Sequence, residues 1–274
     1  AAFPDLKTVD DFRLFALEVR KKTEGIPIGF KIGASHIEKD IQFALDVGID
    51  YIIIDGRGGG TGVAPTIIRN NINIPTIPAL ARARKYLDQV NAKHVSLIIT
   101  GGLRLPEDYA KALMLGADAV AVSNAALQAI GCLGMRTCGT NNCPVGIATQ
   151  KENLRSRLII DSSAKQLHNF LIAANDLIKV IARSCGYDNV SKFNKADLCT
   201  LDFDIHLQTG IPYSGVYSFN KEAECRAHDN IHFHTTIMGG NVSLYNVLIE
   251  HPMALVFVVL GDSPANSAST TCST

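Results

Sequence analysis

The chain has 274 residues, of which 47% are hydrophobic, and its 26 Lys and Arg residues balance 26 Asp and Glu residues. This composition supports a packed core and excludes a disordered chain. The balanced charge argues against a nucleic-acid-binding surface and against electrostatic binding to a membrane. The longest apolar run, residues 253–260, is only strand length, so we expect no transmembrane helix. No signal-peptide pattern opens the sequence, and we expect a cytoplasmic protein.

Hydrophobic periodicity predicts helices and strands in alternation along the first two thirds of the chain. We predict helices at residues 10–22, 37–47, 78–90, 106–115 and 167–182, and strands at residues 26–32, 51–55, 95–100 and 119–122. The strands are nearly continuous apolar runs, which are typical of a parallel sheet covered by helices. On the long helix the apolar residues predicted to form a docking face are Leu167, Phe170, Leu171, Ala174, Leu177 and Ile181.

Glycine-rich or polar segments follow each predicted strand, which suits either a doubly wound sheet or a barrel. No strand is followed by the Gly-x-Gly-x-x-Gly pattern of dinucleotide-binding folds. Short loops instead follow the last two strands, where barrels of the TIM type hold phosphate. We therefore predict an α/β fold: the C-terminal half of a parallel (β/α) barrel, with four of the eight strands, plus a helical extension. Residues 1–216 form this domain, and residues 217–274 are a divergent segment that we leave unassigned.

Two of these loops are candidate phosphate sites. Gly101 and Gly102 follow the third strand and let backbone N–H groups approach an anion closely. Ser123 and Asn124 join the fourth strand to a helix, whose first N–H groups have no partner within that helix. The alternative for the glycine pair is a tight turn without a ligand.

A second candidate surface follows the second strand, where residues 55–62 contain five glycines. We predict that Gly58, Gly59, Gly60 and Thr61 lie against a flat ligand; the alternative is a mobile surface loop. Lys31 interrupts an otherwise apolar strand. It could stabilise negative charge in the barrel mouth, or it could extend its amine to solvent at the strand end.

The strongest motif contains three cysteines within twelve residues: Cys132, Cys138 and Cys143. Thiolate ligands suit an iron–sulfur cluster or zinc. No fourth cysteine or nearby histidine completes a tetrahedral zinc site, so three ligands favour a three-iron cluster. The other four cysteines are scattered and are interpreted as ordinary thiols.

The cysteine segment, residues 132–150, and the run Asp-Gly-Arg-Gly-Gly-Gly-Thr-Gly at residues 55–62 closely resemble the FMN-binding synthase domain of glutamate synthase. The likeness extends over residues 26–216 and is greatest to short, stand-alone members. It implies a [3Fe-4S] cluster on the three cysteines and an FMN phosphate held by Gly101, Gly102, Ser123 and Asn124. It also implies that Lys31 faces the flavin and the substrate.

The resemblance further implies the reaction and the partners. Electrons pass from the cluster to FMN, which reduces the imine of 2-oxoglutarate and ammonia to glutamate. The nitrogen is free ammonia or derives from glutamine, and an electron-donor protein is expected. The glutaminase domain and the first half of the barrel are absent from this sequence, so a homo-oligomer or a partner that supplies the missing half is also expected.

Two alternatives remain open from the sequence. One is a phosphate-binding barrel oxidoreductase similar to IMP dehydrogenase, in which a single cysteine attacks the substrate. The other is a non-catalytic, incomplete barrel that self-associates through an exposed sheet edge.

Overall fold

The computed structural model describes residues 3–61 and 63–214, and the backbone of residues 257–260. Nine α-helices and five β-strands lie within these residues. In chain order they are α1 (Val9–Lys22), β1 (Gly29–Gly33), α2 (Ile37–Val47), β2 (Tyr51–Asp55), α3 (Thr66–Asn71), α4 (Thr76–Gln89), β3 (Ser96–Thr100), α5 (Pro106–Met114), β4 (Ala119–Val122), α6 (Asn124–Ala129), α7 (Glu152–Arg155), α8 (Ile160–Ser184), α9 (Phe203–Thr209) and β5 (Phe257–Leu260).

The strands form one sheet in the order β1-β2-β3-β4-β5. The first four are parallel and follow one another in sequence order, whereas β5 pairs antiparallel with β4. In register, Lys31 is level with Ile53, and Ile53 is level with Ile98. Right-handed crossovers between sequential parallel strands put all the connecting helices on one face of the sheet. The sequential order of β1 to β4 is therefore the strand order of a (β/α) barrel. The predicted fold class is confirmed.

Alternating residues of the strands divide the sheet into two faces. One face enters the main hydrophobic core, in which Ile54, Leu97, Ile99 and Val120 are each within a few per cent of full burial. Helices α2, α4, α5 and α8 contribute to that same core. The opposite face carries the half-exposed Lys31 and the partly buried Ile98. The first face is therefore covered by helices, and on the opposite face Lys31 lies near the carboxyl end of β1.

Local sequence signals account for several helix boundaries. Thr8 and Asp11 cap α1 reciprocally: the Thr8 hydroxyl accepts the Asp11 N–H, and the Asp11 carboxylate accepts the Thr8 N–H at 2.8 Å. Helix α2 ends at Gly48, whose φ of 86° is in the left-handed region. The predicted bounds of α2, β2 and β4 coincide with the structure.

The longest helix departs from its predicted pattern. Helix α8 begins at Ile160, seven residues before the predicted start at Leu167. Its buried residues are Ala174, Ile178 and Ala182, whereas Leu177 is 53% exposed. The prediction that Leu177 belongs to the docking face was therefore wrong. The buried stripe of the helix contains Ile178, the next residue, instead.

No helix in the part of the chain that the structure describes is both long and apolar enough to span a lipid bilayer. The predicted boundary at residue 216 and the unassigned segment 217–274 lie outside the described residues, apart from the backbone of β5.

Candidate functional site

The loops after β2 and β3 pack directly against each other. A Cβ atom built on Gly58 would lie 3.3 Å from the carbonyl oxygen of Gly101, and one built on Gly102 would lie 3.0 Å from the carbonyl oxygen of Gly58. Gly58, Gly101 and Gly102 all have positive φ values. Side chains at these positions would separate the loops, so the glycines serve loop-to-loop packing in addition to any contact with a ligand.

Thr76, the first residue of α4, stabilises this junction. Its side chain is buried, and its hydroxyl donates a hydrogen bond of 2.5 Å to the carbonyl oxygen of Gly101. Gly56 lies directly against Thr76, and the Gly56 N–H donates to the Thr100 carbonyl at 3.0 Å. The backbone at the end of β3 is thus held from two sides.

The second predicted phosphate loop leaves β4 at the same edge of the sheet. Ser123 precedes α6 and makes no side-chain capping hydrogen bond within the described part of the chain. The first intrahelical bond of α6 runs from the Leu127 N–H to the Ser123 carbonyl at 2.9 Å, so the N–H groups of the preceding residues point out of the helix end. At the end of β3, the Thr100 hydroxyl donates to the Ala121 carbonyl at 2.8 Å, which joins the two strands just before their loops.

Lys31 lies at a cleft of about 310 Å³ at the carboxyl ends of β1 and β2. Its ammonium is 3.0 Å from Oδ2 of Asp55, and its side chain is 52% exposed. Gly59 and Gly60 line the same cleft, and Gly59 lies directly against the Asp55 carboxylate. The lysine is therefore both paired and accessible.

The cleft contains residues that the sequence did not single out. Arg57, Arg69 and Asn73 line it together with Lys31 and Asp55. Arg69 lies on α3, a helix that the periodicity did not predict. Asn73 has a φ of 68°, in the left-handed region that asparagine adopts readily. Of these three residues, only Arg57 lies in a segment that the sequence had indicated, the glycine-rich stretch at residues 55–62.

The cysteine segment lies beside the β2 loop. A Cβ atom built on Gly139 would be 2.9 Å from Cγ1 of Val63. The cysteine segment, next to Cys138, therefore contacts the residue that follows the glycine stretch. Thr61, at the end of that stretch, is exposed, and its hydroxyl accepts the Val63 N–H at 3.2 Å. The loops after β2 and β3 and the cysteine segment therefore form one connected surface.

The environment of Cys143 favours a thiolate. Burial of the thiol would raise its pKa, but the N–H groups of residues 145–148 donate hydrogen bonds to the sulfur, and together they hold the pKa of Cys143 below its usual value. A turn that directs several N–H groups at one sulfur also suits a bound thiolate ligand.

The structure does not bring the three cysteines together as a ligand set. Cys132 and Cys138 are partly exposed, and the Cys132 sulfur accepts the Gly134 N–H at 3.5 Å. Within residues 3–61 and 63–214, no group of three or more Cys, His, Asp or Glu side chains is placed to hold a metal ion. The donor types suit a cluster, but their placement does not, so the three ligands stay a prediction.

Comparison with known proteins identifies related chains. A family described as "Conserved region in glutamate synthase" matches residues 1–188. Over 189 residues the chain is 36% identical to an archaeal-type glutamate synthase [NADPH] of Thermotoga neapolitana, covering 68% of this chain and 37% of that protein. Over 231 residues it is 32% identical to a glutamate synthase large subunit-like protein of Rhizobium meliloti, covering 77% of this chain and 52% of that protein.

The chain thus spans about half or less of the length of these relatives. Among solved structures, the flavin-binding domain of flavocytochrome b2 from baker's yeast overlaps 88% of this chain and 47% of that chain, with a TM-score of 0.47 and 18% identity.

Proposed function

Because the chain belongs to the glutamate synthase family, we propose that it carries the flavin-dependent synthase centre of such an oxidoreductase. The observation that carries the proposal is the convergence of its loops: the glycines after β2 and β3 are in contact, and the cysteine segment touches the β2 loop through Val63. The proposed product is glutamate, formed by reduction of the imine of 2-oxoglutarate and ammonia.

The residues present fit the phosphate end of FMN. Gly102 is exposed with a φ of 78°, and Ser123 is partly exposed beside the first N–H groups of α6. Both features leave backbone donors available to an anion. Gly58, Gly59, Gly60 and Thr61 would then lie along the flavin ring. The chemistry that FMN supplies when bound is hydride transfer to the imine carbon.

The chain's own side chains supply position and charge at the reacting centre. Lys31 is accessible in the cleft, where its ammonium can bind a substrate carboxylate or stabilise negative charge. Asp55 keeps that ammonium at the carboxyl end of β1, since the two groups form an ion pair. The proposed role of Lys31 therefore depends on Asp55.

Cys132, Cys138 and Cys143 remain the proposed ligands of a [3Fe-4S] cluster, supported by their residue types and by the N–H environment of Cys143. Within the described residues, their placement does not form a metal site. An electron-donor protein, a source of ammonia or glutamine-derived nitrogen, and a cytoplasmic location belong to the same proposal.

The experiment is anaerobic purification followed by absorption spectroscopy and assays of flavin and iron. We expect flavin bands, a broad iron–sulfur shoulder and three irons per chain. Cys143→Ser should lose iron, whereas Cys199→Ser, at an exposed cysteine outside the segment, should retain it. A colourless protein without iron after reconstitution would contradict the proposal.

The alternative similar to IMP dehydrogenase needs only one cysteine. Under that hypothesis Cys138→Ser and Cys143→Ser would not both remove activity. Loss of colour and activity in both variants would support the cluster and exclude the single-cysteine mechanism.

A further inference from the structure

The cleft beside Lys31 contains two more cations that the proposed function does not use. Arg57 and Arg69 both line it, and within the described part of the chain neither guanidinium forms an ion pair. The remaining cation, Lys31, is already paired with Asp55. Among the charged lining residues there are thus three cations and one anion, which leaves a surplus of two positive charges.

The backbone that carries Arg57 is held in place. The Arg57 N–H donates to the carbonyl of Ile74 at 2.7 Å, just before α4. Next to Ile74, the Asn73 side chain accepts a hydrogen bond of 2.7 Å from the Ser35 hydroxyl in the loop after β1. Residues 73 and 74, which follow α3, are therefore hydrogen-bonded to the loop after β1 and to the loop after β2, the two loops that border the cleft.

Arg69 approaches the cleft from α3. Its aliphatic stem passes close to Gly60, where an added Cβ would lie 3.8 Å from Cγ of the arginine. Among residues 3–61 and 63–214, its Nε makes only a long hydrogen bond of 3.4 Å, to the side chain of Asn70. Most of the donors of this guanidinium remain available to a ligand.

We propose that Arg57 and Arg69 are specificity-determining residues that bind a carboxylate of the substrate and select a dicarboxylate over a monocarboxylate. The inference rests on the proposed function and deepens it. A guanidinium presents a planar pair of N–H donors that matches a carboxylate. Two surplus positive charges match the two negative charges of a small dicarboxylate, and the cleft is large enough to bury one.

The test compares two 2-oxo acids that differ in the distal carboxylate. Binding of 2-oxoglutarate and of 2-oxobutyrate to the full chain is measured by calorimetry, independently of turnover. We expect 2-oxoglutarate to bind more tightly. We expect Arg69→Ala or Arg57→Ala to weaken its binding about 10- to 100-fold, as for loss of a hydrogen bond to a charged group, and to change 2-oxobutyrate binding little.

Three further variants control for charge and for folding. Arg57→Lys and Arg69→Lys keep the charge but lose the planar donor pair, so each should recover part of the preference. Arg183→Ala changes an exposed arginine in the last turn of α8, away from the cleft, and should bind both acids like the unchanged protein. Thermal unfolding of each variant identifies any loss of folding.

The same variants separate this inference from the flavin proposal. Each is titrated with FMN and with inorganic phosphate. If the alanine variants lose FMN or phosphate affinity and keep the preference for the dicarboxylate, the cations serve the cofactor and the inference is wrong. Equal affinity of the unchanged protein for both acids would also overturn it. Dicarboxylate preference in a chain that binds no flavin would support this inference and contradict the flavin-dependent function.

Discussion

Thr76 joins the two glycine loops through one hydroxyl group. The side chain is buried and donates to the carbonyl of Gly101, the residue that begins the first proposed phosphate loop. In a buried position, an unsatisfied carbonyl is costly. The geometry of the loop after β3 therefore depends on a residue at the start of α4.

We predict that Thr76→Val will lower the free energy of unfolding by about 1–3 kcal/mol and reduce flavin retention, because Gly101 loses its donor. Thr76→Ser keeps the hydroxyl and should retain flavin, although it loses a methyl group. Urea unfolding and the flavin-to-protein ratio measure the two effects. Equal flavin loss in both variants would show that the hydroxyl has no role.

A second residue-scale prediction concerns Gly101. Its φ is 120°, and an added Cβ would lie 2.5 Å from the Gly56 carbonyl oxygen and 2.6 Å from the Thr76 hydroxyl. Gly25 has a similar φ of 99° but nothing within 4 Å of an added Cβ. Gly25→Ala should cost about 1–2 kcal/mol of backbone strain. Gly101→Ala should cost about 1–3 kcal/mol more from overpacking, as measured by urea unfolding. Similar costs for both variants would contradict the close loop contact.

At the scale of elements, an ion pair joins α2 to α4. Arg82 donates to both carboxylate oxygens of Glu38, with Nε 2.8 Å from Oε1. The hydrogen bond from Arg82 holds the pKa of Glu38 below its usual value, and burial opposes this only in part. The stabilisation is present above the pKa of an unfolded glutamate and is lost as the pH falls through the lower, folded pKa.

Glu38→Gln should therefore destabilise the protein at pH 7 and have little effect near pH 3. Both side chains are about two fifths exposed, so solvent screening limits the expected difference to about 0.5 kcal/mol. Unfolding free energies of the two proteins, measured across this pH range, test the prediction. A constant difference between pH 7 and pH 3 would contradict it.

Helix α8 provides a matched pair of neighbouring apolar residues. Ile178 is 3% exposed and belongs to the main core, whereas Leu177 is 53% exposed. Ile178→Ala should lower the free energy of unfolding by about 2–5 kcal/mol, and Leu177→Ala should change it by less than about 0.5 kcal/mol. If urea unfolding gave the reverse order, the helix would be rotated from its position in the structure.

The sequence located elements that have a clear helical period or a continuous apolar run, and it missed three of the shortest helices. Helical periodicity located α2, and apolar runs located β2 and β4. Helices α3, α7 and α9 have only four to seven residues, too few for a helical period to be visible. The antiparallel pairing of β5 depends on contacts distant in sequence, which periodicity does not encode.

Part of the candidate site could also be predicted from the sequence. Lys31 and the glycines stood out because they are unusual in a strand or a loop, and the structure places Lys31, Gly59 and Gly60 at one cleft. Arg69 and Asn73 were missed because they belong to α3 and its end. The roles of the site residues, including the three cysteines, stay predictions.

For the whole molecule, the main feature is a sheet whose two edges differ. Among the described strands, β1 pairs only with β2 and forms the parallel edge of the sheet, whereas β5 pairs only with β4 and forms the antiparallel edge. An unpaired strand edge can bind another chain. The expected homo-oligomer, or a partner that completes the barrel, would meet the sheet at β1.

We predict that the isolated chain self-associates, because a strand added at β1 would bond to backbone groups that no other described strand pairs. Sedimentation at increasing protein concentration should show a mass that rises above 29.5 kDa. A constant monomer mass at the highest concentration, with flavin bound, would contradict a role for β1 in assembly.

The contact between Val63 and Gly139 has a consequence for protein engineering. The cysteine segment begins after β4, yet it rests on a loop that leaves β2. A designer who grafted the cysteine turn alone onto another parallel sheet would leave behind the surface that orients it. The transplantable unit is the set of mutually touching loops, and it would have to be moved as one block.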